Sequence, residues 1–170
     1  MTGKQKLRTR EIVLTALLAA LLVASKQALS FLPNIELVSL LIVLYTLHFP
    51  RLTPSIIYIF VGVQCCIYGL NLWVYMYLYV WIILYFVVRA LRKYSSHMLW
   101  VVVSALYGLL FGLLCSPVYL FVGGWGMAVS WFVSGIPFDV IHAVGNAVAA
   151  LVLFVPLDRL FSKVKNKSFA

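Results

Sequence analysis

Three polar residues interrupt the last apolar stretch of the chain at helical spacing. Asp139, His142 and Asn146 are three and four residues apart, which places them on one face of a helix. A histidine near an aspartate could act as a general base or begin a metal site, but one His and one Asp do not complete a coordination shell. No serine or cysteine lies in a recognisable nucleophile motif. The pattern favours ligand contact or a polar seam between helices, and we predict no catalytic residue, no metal site and no enzyme.

A second polar group surrounds the first turn of the chain. Lys26 and Gln27 end the first apolar segment, and Asn34 and Glu36 begin the second. A charged side chain inside a membrane span costs at least about 2.5 kcal/mol, so its presence needs a reason. Either Lys26 and Glu36 neutralise each other, or Lys26 snorkels, or the four side chains form the rim of a pocket that binds a polar ligand from outside.

Aromatic side chains form the third group, around the turn between the third and fourth apolar segments and in the last connection. Trp73 and Tyr77 fit the interfacial belt that membrane proteins share. Flat rings with a polar tip also suit contact with a large, partly aromatic ligand. The aromatic residues that we expect to make such contacts are Tyr68, Tyr75, Tyr79 and Trp125.

The composition defines the environment of these residues. Of 170 residues, 65% are apolar and 10% are charged, whereas soluble domains contain about 45–50% and about 25%. A soluble enzyme and a nucleic-acid-binding domain are therefore excluded. The net charge is +9, but the basic residues flank apolar runs, so we expect them to orient the chain in a lipid bilayer and predict no nucleic-acid partner. We predict an all-α integral membrane protein with one domain, residues 1–170. Its six transmembrane helices are expected at about 11–31, 36–49, 54–70, 72–91, 97–121 and 137–161.

Two segments of this arrangement carry further expectations. The second span, 36–49, is shorter than the ~20 residues that cross a bilayer, so Asn34 and Glu36 should be shielded by protein. The glycine-rich stretch that begins at Gly123 is predicted to form a long connection to about Gly135, suited to a mobile lid.

The basic residues predict the orientation of the chain. The N-terminal segment, the second-to-third turn, the fourth-to-fifth loop and the C-terminus contain all 13 lysines and arginines except Lys26. These places lie on one side of a six-span chain, so the positive-inside rule puts both termini in the cytoplasm. The basic N-terminus followed by an apolar run resembles a signal peptide, but the run continues to Leu32 and predicts a retained first helix.

No motif in the sequence supplies energy for transport. The chain has no GxxxxGK[ST] nucleotide-binding loop and no series of buried carboxylates typical of an ion-driven pump. Uphill transport would therefore depend on another subunit. Ala16, Ala20 and Ala24 are four residues apart on the first helix, and such a small-residue stripe lets another helix pack closely.

Three stretches of sequence resemble one family of membrane proteins. The run ALLAA at 16–20, FLPNIELVSL at 31–40 and GIPFDVIHAVGN at 135–146 resemble the substrate-binding S component of energy-coupling factor (ECF) vitamin transporters. The last two are most similar to the cobalamin-specific (CbrT) subgroup. The resemblance implies an S-component-like bundle of six helices in a bacterial cell membrane.

The resemblance also implies a function. An S component has no intrinsic cofactor, captures a vitamin at its outer face, and docks on a transmembrane coupling protein (EcfT) and two ATPase subunits (EcfA and EcfA') of an ABC-type transporter. The family's AxxxA docking motif maps to Ala16 and Ala20, with Ala24 extending the row. Cobalamin or a related corrinoid is the expected vitamin. The alternatives are another vitamin or precursor (riboflavin, pantothenate, queuosine), a structural partner subunit, or a small membrane enzyme that uses His142 and Asp139.

Overall fold

Helices make up nearly all of the chain that the structure describes. The computed structural model describes residues 9–94 and 96–169, and none of these residues lies in a β-strand. The helices are α1 (Thr9–Ala28), α2 (Val38–His48), α3 (Thr53–Tyr68), α4 (Leu72–Leu91), α5 (His97–Leu109) and α6 (Phe111–Phe169). The predicted all-α fold class is therefore confirmed.

Three helical stretches of the described chain are long and apolar enough to cross a membrane. They are Thr9–Ala28, Leu72–Leu91 and the stretch His97–Lys167, which contains α5 and α6. Helices α2 and α3, with 11 and 16 residues, are apolar but shorter than a full crossing. The long helices are compatible with a membrane protein, and the division into six spans stays a prediction.

Helix α2 lies at the centre of the molecule. Every residue from Val38 to Thr46 is buried, as expected for a helix that is apolar on all sides. The helix contacts α1, α3, α4, α5 and α6. This packing stabilises a helix of 11 residues, a length that is marginal in isolation.

Helix α6 is a hairpin of two limbs. The backbone leaves helical geometry at Gly123 (φ −142°, ψ 16°) and Gly124 (φ 73°, ψ −170°). The first limb comprises residues 111–122 and the second limb residues 125–169. Glycine adopts a positive φ at no steric cost, so Gly124 permits the reversal of the chain.

Contacts between the limbs show that they run antiparallel. Residues of α5 and the first limb contact the second limb in reverse order: Tyr119 with Trp131, Gly112 with Asp139, Ser104 with Asn146, and His97 with Ala150. Gly108 marks a close approach, because a Cβ atom there would lie 2.9 Å from the backbone of His142 and Ala143.

The predicted polar seam between helices is present at Asn146, whose Nδ2 donates to the Ser104 carbonyl at 3.3 Å.

The hairpin corrects the predicted connection between Gly123 and Gly135. The turn is confined to two glycines, and residues 125–135 are helical, so this segment is not a lid-like loop. Pro137, expected in the first turn of a helix, lies inside the second limb, as does Pro156. A proline inside a helix removes one hydrogen bond and bends the helix.

The other helix bounds lie near the predicted ones. Helix α4 covers the predicted residues 72–91, and α1, α2 and α3 differ from prediction by one to three residues at their ends. The predicted span 97–121 is interrupted at Leu110 (φ −94°, ψ 2°), which separates α5 from the first limb of α6.

The connections group at two ends of the molecule. At the first, His48 Nε2 lies 2.8 Å from Asp158 Oδ1, and the Tyr85 hydroxyl donates to the Pro50 carbonyl at 3.1 Å. We call it the basic end, because the adjoining segments carry Arg10, Arg51, Arg89, Arg92, Lys93, Arg159, Lys163, Lys165 and Lys167. The opposite end, the hairpin end, holds the α1–α2 loop, the α3–α4 turn and the reversal of α6.

Candidate functional site

A cavity of about 660 Å³ lies at the hairpin end. The start of α4, both limbs of the α6 hairpin and the α1–α2 loop form its walls. Its aromatic lining residues are Trp73, Tyr77, Phe111, Tyr119, Trp131 and Phe138, and its polar ones are Asn34, Asn71, Ser134 and Asp139. Small-molecule sites typically have volumes of about 300–1,000 Å³, apolar walls and a few polar groups. This cavity has all three properties.

Asp139 is the charged group of this cavity. Its side chain is 6% exposed, and its Oδ1 accepts a hydrogen bond from the Gly112 N–H at 3.0 Å. Its Oδ2 has no hydrogen-bond partner within the described part of the chain. A Cβ atom on Gly112 would lie 2.4 Å from Oδ2, so a larger residue there would displace the carboxylate.

Glu36 forms the second buried acidic site, and its partner is His142. His142 Nε2 lies 3.2 Å from Glu36 Oε1, and both side chains are almost fully buried. The two carboxylate oxygens also accept from the Ser39 N–H at 3.1 and 3.0 Å, at the start of α2. The positive end of the α2 dipole favours a carboxylate there. The prediction that protein shields Glu36 is confirmed, and the suggested Lys26–Glu36 pair is replaced by Glu36–His142.

A small cavity of about 60 Å³ adjoins the large one. Lys26, Glu36 and His142 line it, and it shares Asn34 with the large cavity. Asn34 has φ 57°, a left-handed conformation that asparagine tolerates better than most residues. The α1–α2 loop therefore brings three of the predicted polar residues, Lys26, Asn34 and Glu36, to neighbouring cavities.

The aromatic walls differ from the prediction. Trp73 and Tyr77, assigned to an interfacial belt, line the large cavity, and their ring centroids are 5.1 Å apart. On the hairpin, Tyr119 and Trp131 stack with centroids 4.0 Å apart and planes 23° apart. The four-residue spacing from Trp73 to Tyr77 is the sequence signal that puts the two rings on one helix face.

Four predicted aromatic contacts do not line the large cavity. The side chains of Tyr75 and Trp125 are 57% and 76% exposed. The Tyr79 hydroxyl donates to the Leu114 carbonyl at 2.7 Å and joins α4 to the first limb. The Tyr68 hydroxyl donates to Gln27 Oε1 at 2.7 Å and joins the ends of α3 and α1, so the predicted residue Gln27 also serves a helix contact.

Asp139 and His142 do not form a catalytic dyad in this structure. His142 bonds to Glu36 and packs edge-on against the Phe111 ring, with centroids 4.9 Å apart. Asp139 Oδ1 bonds to the Gly112 backbone. Within residues 9–94 and 96–169, no group of three His, Cys, Asp or Glu side chains could hold a metal ion. The arrangement can bind a ligand non-covalently through one carboxylate, amides and aromatic walls.

The predicted docking stripe lies on the outer face of α1. Ala16, Ala20 and Ala24 are exposed, whereas Leu18 and Leu22 on the opposite face are buried. The larger exposed side chains beside the stripe are Ile12, Val13, Leu17 and Leu21. The stripe is therefore accessible to a partner helix.

Comparisons with protein-family models, with curated proteins and with solved structures find no match for this chain. The geometry of the cavity, the polarity of its walls and the exposed face of α1 therefore carry the functional assignment.

Proposed function

We propose that this chain is the substrate-binding S component of an ECF-type vitamin transporter. It binds a water-soluble vitamin in the hairpin-end cavity and delivers it inward together with a coupling protein and two ATPases. The cavity is the observation that carries the proposal: about 660 Å³ of space, remote from the basic end, with a buried carboxylate and aromatic walls.

The distribution of charge supports this direction of transport. The basic residues belong at the cytoplasmic side of a bacterial cell membrane under the positive-inside rule. In this proposal the chain crosses the membrane six times, both termini lie in the cytoplasm, and the hairpin end faces the outside. A cavity at that end receives its ligand from the external medium.

The volume of the cavity bears on the identity of the vitamin. The sequence resemblance makes cobalamin the first substrate to test. A corrinoid is larger than the drug-sized ligands that cavities of about 300–1,000 Å³ enclose. It would bind after the hairpin and the α1–α2 loop separate, whereas riboflavin or a queuosine precursor needs less movement.

The polar and exposed residues favour transport over catalysis. Asp139 bonds to Gly112 and His142 to Glu36, so the Asp–His hydrogen bond of the enzyme alternative is not formed in this structure. The exposed stripe Ala16, Ala20 and Ala24 fits a partner helix in the membrane, where association depends on close packing of small residues.

Calorimetric titration of the purified chain tests the proposal. The panel is cyanocobalamin, riboflavin, thiamine, queuosine, pantothenate and folate, with the chain in lipid nanodiscs. We expect one vitamin to bind with 1:1 stoichiometry and to bind much more weakly to the Trp131→Ala variant, which loses one wall of the cavity. The matched control is Trp125→Ala, whose side chain is 76% exposed and outside the lining. No binding by any of the six would refute the proposal.

A further inference from the structure

The described lining of the large cavity contains one acidic side chain and no basic one. Asp139 is its single carboxylate, and no lysine, arginine or histidine belongs to the described lining. Lys26 and His142 lie at the small neighbouring cavity, where Glu36 is their acidic neighbour. The field in the large cavity is therefore set by a negative charge.

One carboxylate oxygen of Asp139, Oδ2, accepts no hydrogen bond from the described residues. The side chain is 94% removed from solvent contact, since its exposed fraction is 6%, and Oδ2 has no partner within the part of the chain described. A buried carboxylate oxygen without a hydrogen bond costs free energy. Oδ2 lies against Gly112, so the carboxylate has to turn toward the cavity before a ligand can donate an N–H to it. The new hydrogen bond recovers the lost free energy, and a cationic donor recovers more.

The walls on either side of Asp139 favour a flat ring. Tyr119 and Trp131 stack face to face on the hairpin, and Trp73 and Tyr77 stand on α4 across the cavity. Such rings bind planar ligands through stacked or edge-on contacts. Asn34, Asn71 and Ser134 add neutral donors and acceptors at the rim.

We infer, resting on the proposed function, that the cavity selects a neutral or cationic vitamin with a flat ring and an N–H donor that bonds to Asp139 Oδ2. Vitamins that carry a carboxylate are rejected, because their charge would face that of Asp139 in a poorly solvated space. This restricts the substrate alternatives: riboflavin, thiamine, queuosine and cobalamin satisfy it, and pantothenate does not.

The test compares ligand classes and one isosteric variant. The full chain in nanodiscs is titrated with cyanocobalamin, riboflavin, thiamine and queuosine, and with pantothenate, folate and biotin. The best ligand is then measured on Asp139→Asn, which retains an oxygen for the Gly112 N–H and replaces Oδ2 by an NH₂ donor. The control is Asp158→Asn at the basic end. Thermal unfolding of all three proteins checks that they are folded.

The inference predicts that the best ligand belongs to the first group. Asp139→Asn should weaken its binding about 10- to 100-fold, the range for hydrogen bonds to a charged group, while Asp158→Asn binds like the wild type. Tightest binding of a carboxylate vitamin, or unchanged binding by Asp139→Asn, overturns the inference and leaves the proposed function standing. If Asp139→Asn unfolds, the ligand class found with the wild type decides. Absence of binding throughout the panel overturns both.

Discussion

Two buried acidic side chains join distant parts of the chain. Asp139 and Glu36 each form a hydrogen bond between distant parts of the chain. Asp139 bonds to the Gly112 N–H, and Glu36 bonds to His142. Each contact joins an element of the cavity wall to the second limb of the hairpin. Small changes at these positions should therefore alter both stability and ligand binding.

Gly112 offers the sharpest steric test. In Gly112→Ala the new Cβ would lie 2.4 Å from Asp139 Oδ2, so the carboxylate must move or the limbs must separate. We expect a loss of about 1–3 kcal/mol of unfolding free energy, typical of overpacking. Gly62→Ala is the control: no atom lies within 4 Å of its Cβ position, and the change should be neutral or stabilising. Chemical unfolding in detergent measures both, and equal stabilities would contradict the described packing.

The Glu36–His142 pair should show energetic coupling. A double-mutant cycle with Glu36→Ala and His142→Ala is expected to give a coupling energy of about 1–3 kcal/mol, because both groups are buried and in contact. The same cycle on His48 and Asp158 at the basic end is the comparison. Asp158 is 41% exposed there, so solvent screens the pair and its coupling should stay below about 1 kcal/mol. The reverse order of the two couplings would contradict the assignment of Glu36 to His142.

Residue contacts were only partly predictable from the sequence. The buried position of Glu36 followed from the short second span, but its partner lies 106 positions away, and sequence proximity favoured Lys26 instead. On α4 the tyrosines alternate with apolar residues, so no polar marker shows which helix face meets the cavity. The prediction therefore selected Tyr75 and Tyr79, whereas Trp73 and Tyr77 line it.

The α6 hairpin is the feature that matters most at the scale of the element. Glycines at 123 and 124 predicted a break in the chain, and the break occurs there. Helix formation directly after it was not predictable, since glycines and Pro137 lower local helix propensity. Within residues 125–135 Ala128 is buried and Trp131 stacks on Tyr119 of the first limb, whereas most of the other side chains are exposed.

Gly124 should be the sensitive glycine of this turn. In Gly124→Ala a side chain must adopt φ 73° and ψ −170°, a backbone region that essentially only glycine occupies, at a cost of about 1–3 kcal/mol. Gly126→Ala, two residues further in the helix and with open space at its Cβ, should be tolerated. Thermal unfolding distinguishes the variants, and an unaffected Gly124→Ala protein would contradict the reversal described.

Helix α1 carries the prediction about assembly. Ala20→Phe puts a bulky ring on the exposed stripe, so under the proposed function co-purification with a coupling protein and ATPases should fail while vitamin binding persists. Ala90→Phe, at an exposed alanine on α4, is the matched control and should retain assembly. Normal assembly of Ala20→Phe would remove α1 from the docking surface.

The whole molecule separates two ends with different chemistry. Composition and the lysine and arginine pattern predicted an all-α membrane protein, and the all-helical fold follows from the apolar segments. The cavity was less predictable, because its shape depends on how four elements meet. Sequence located several of its polar residues, Asn34 and Asp139 among them, but could not define its size.

The orientation is testable on intact cells. In a variant without Cys65, Cys66 and Cys115, a cysteine introduced by Gly126→Cys should react with a membrane-impermeant maleimide, because the proposed function puts the hairpin end outside the cell. A cysteine introduced by Ser96→Cys in the α4–α5 loop should react only after the cells are opened. Labelling with the opposite pattern would reverse the orientation and place the cavity inside.

Native mass spectrometry of the chain released from nanodiscs, after incubation with the vitamin panel, tests the central claim most directly. The account predicts a single adduct with the mass of one neutral or cationic vitamin, retained by Trp125→Ala and depleted in Trp131→Ala. A chain that carries no vitamin adduct, or an adduct equally retained by both variants, would contradict a binding site in the hairpin-end cavity.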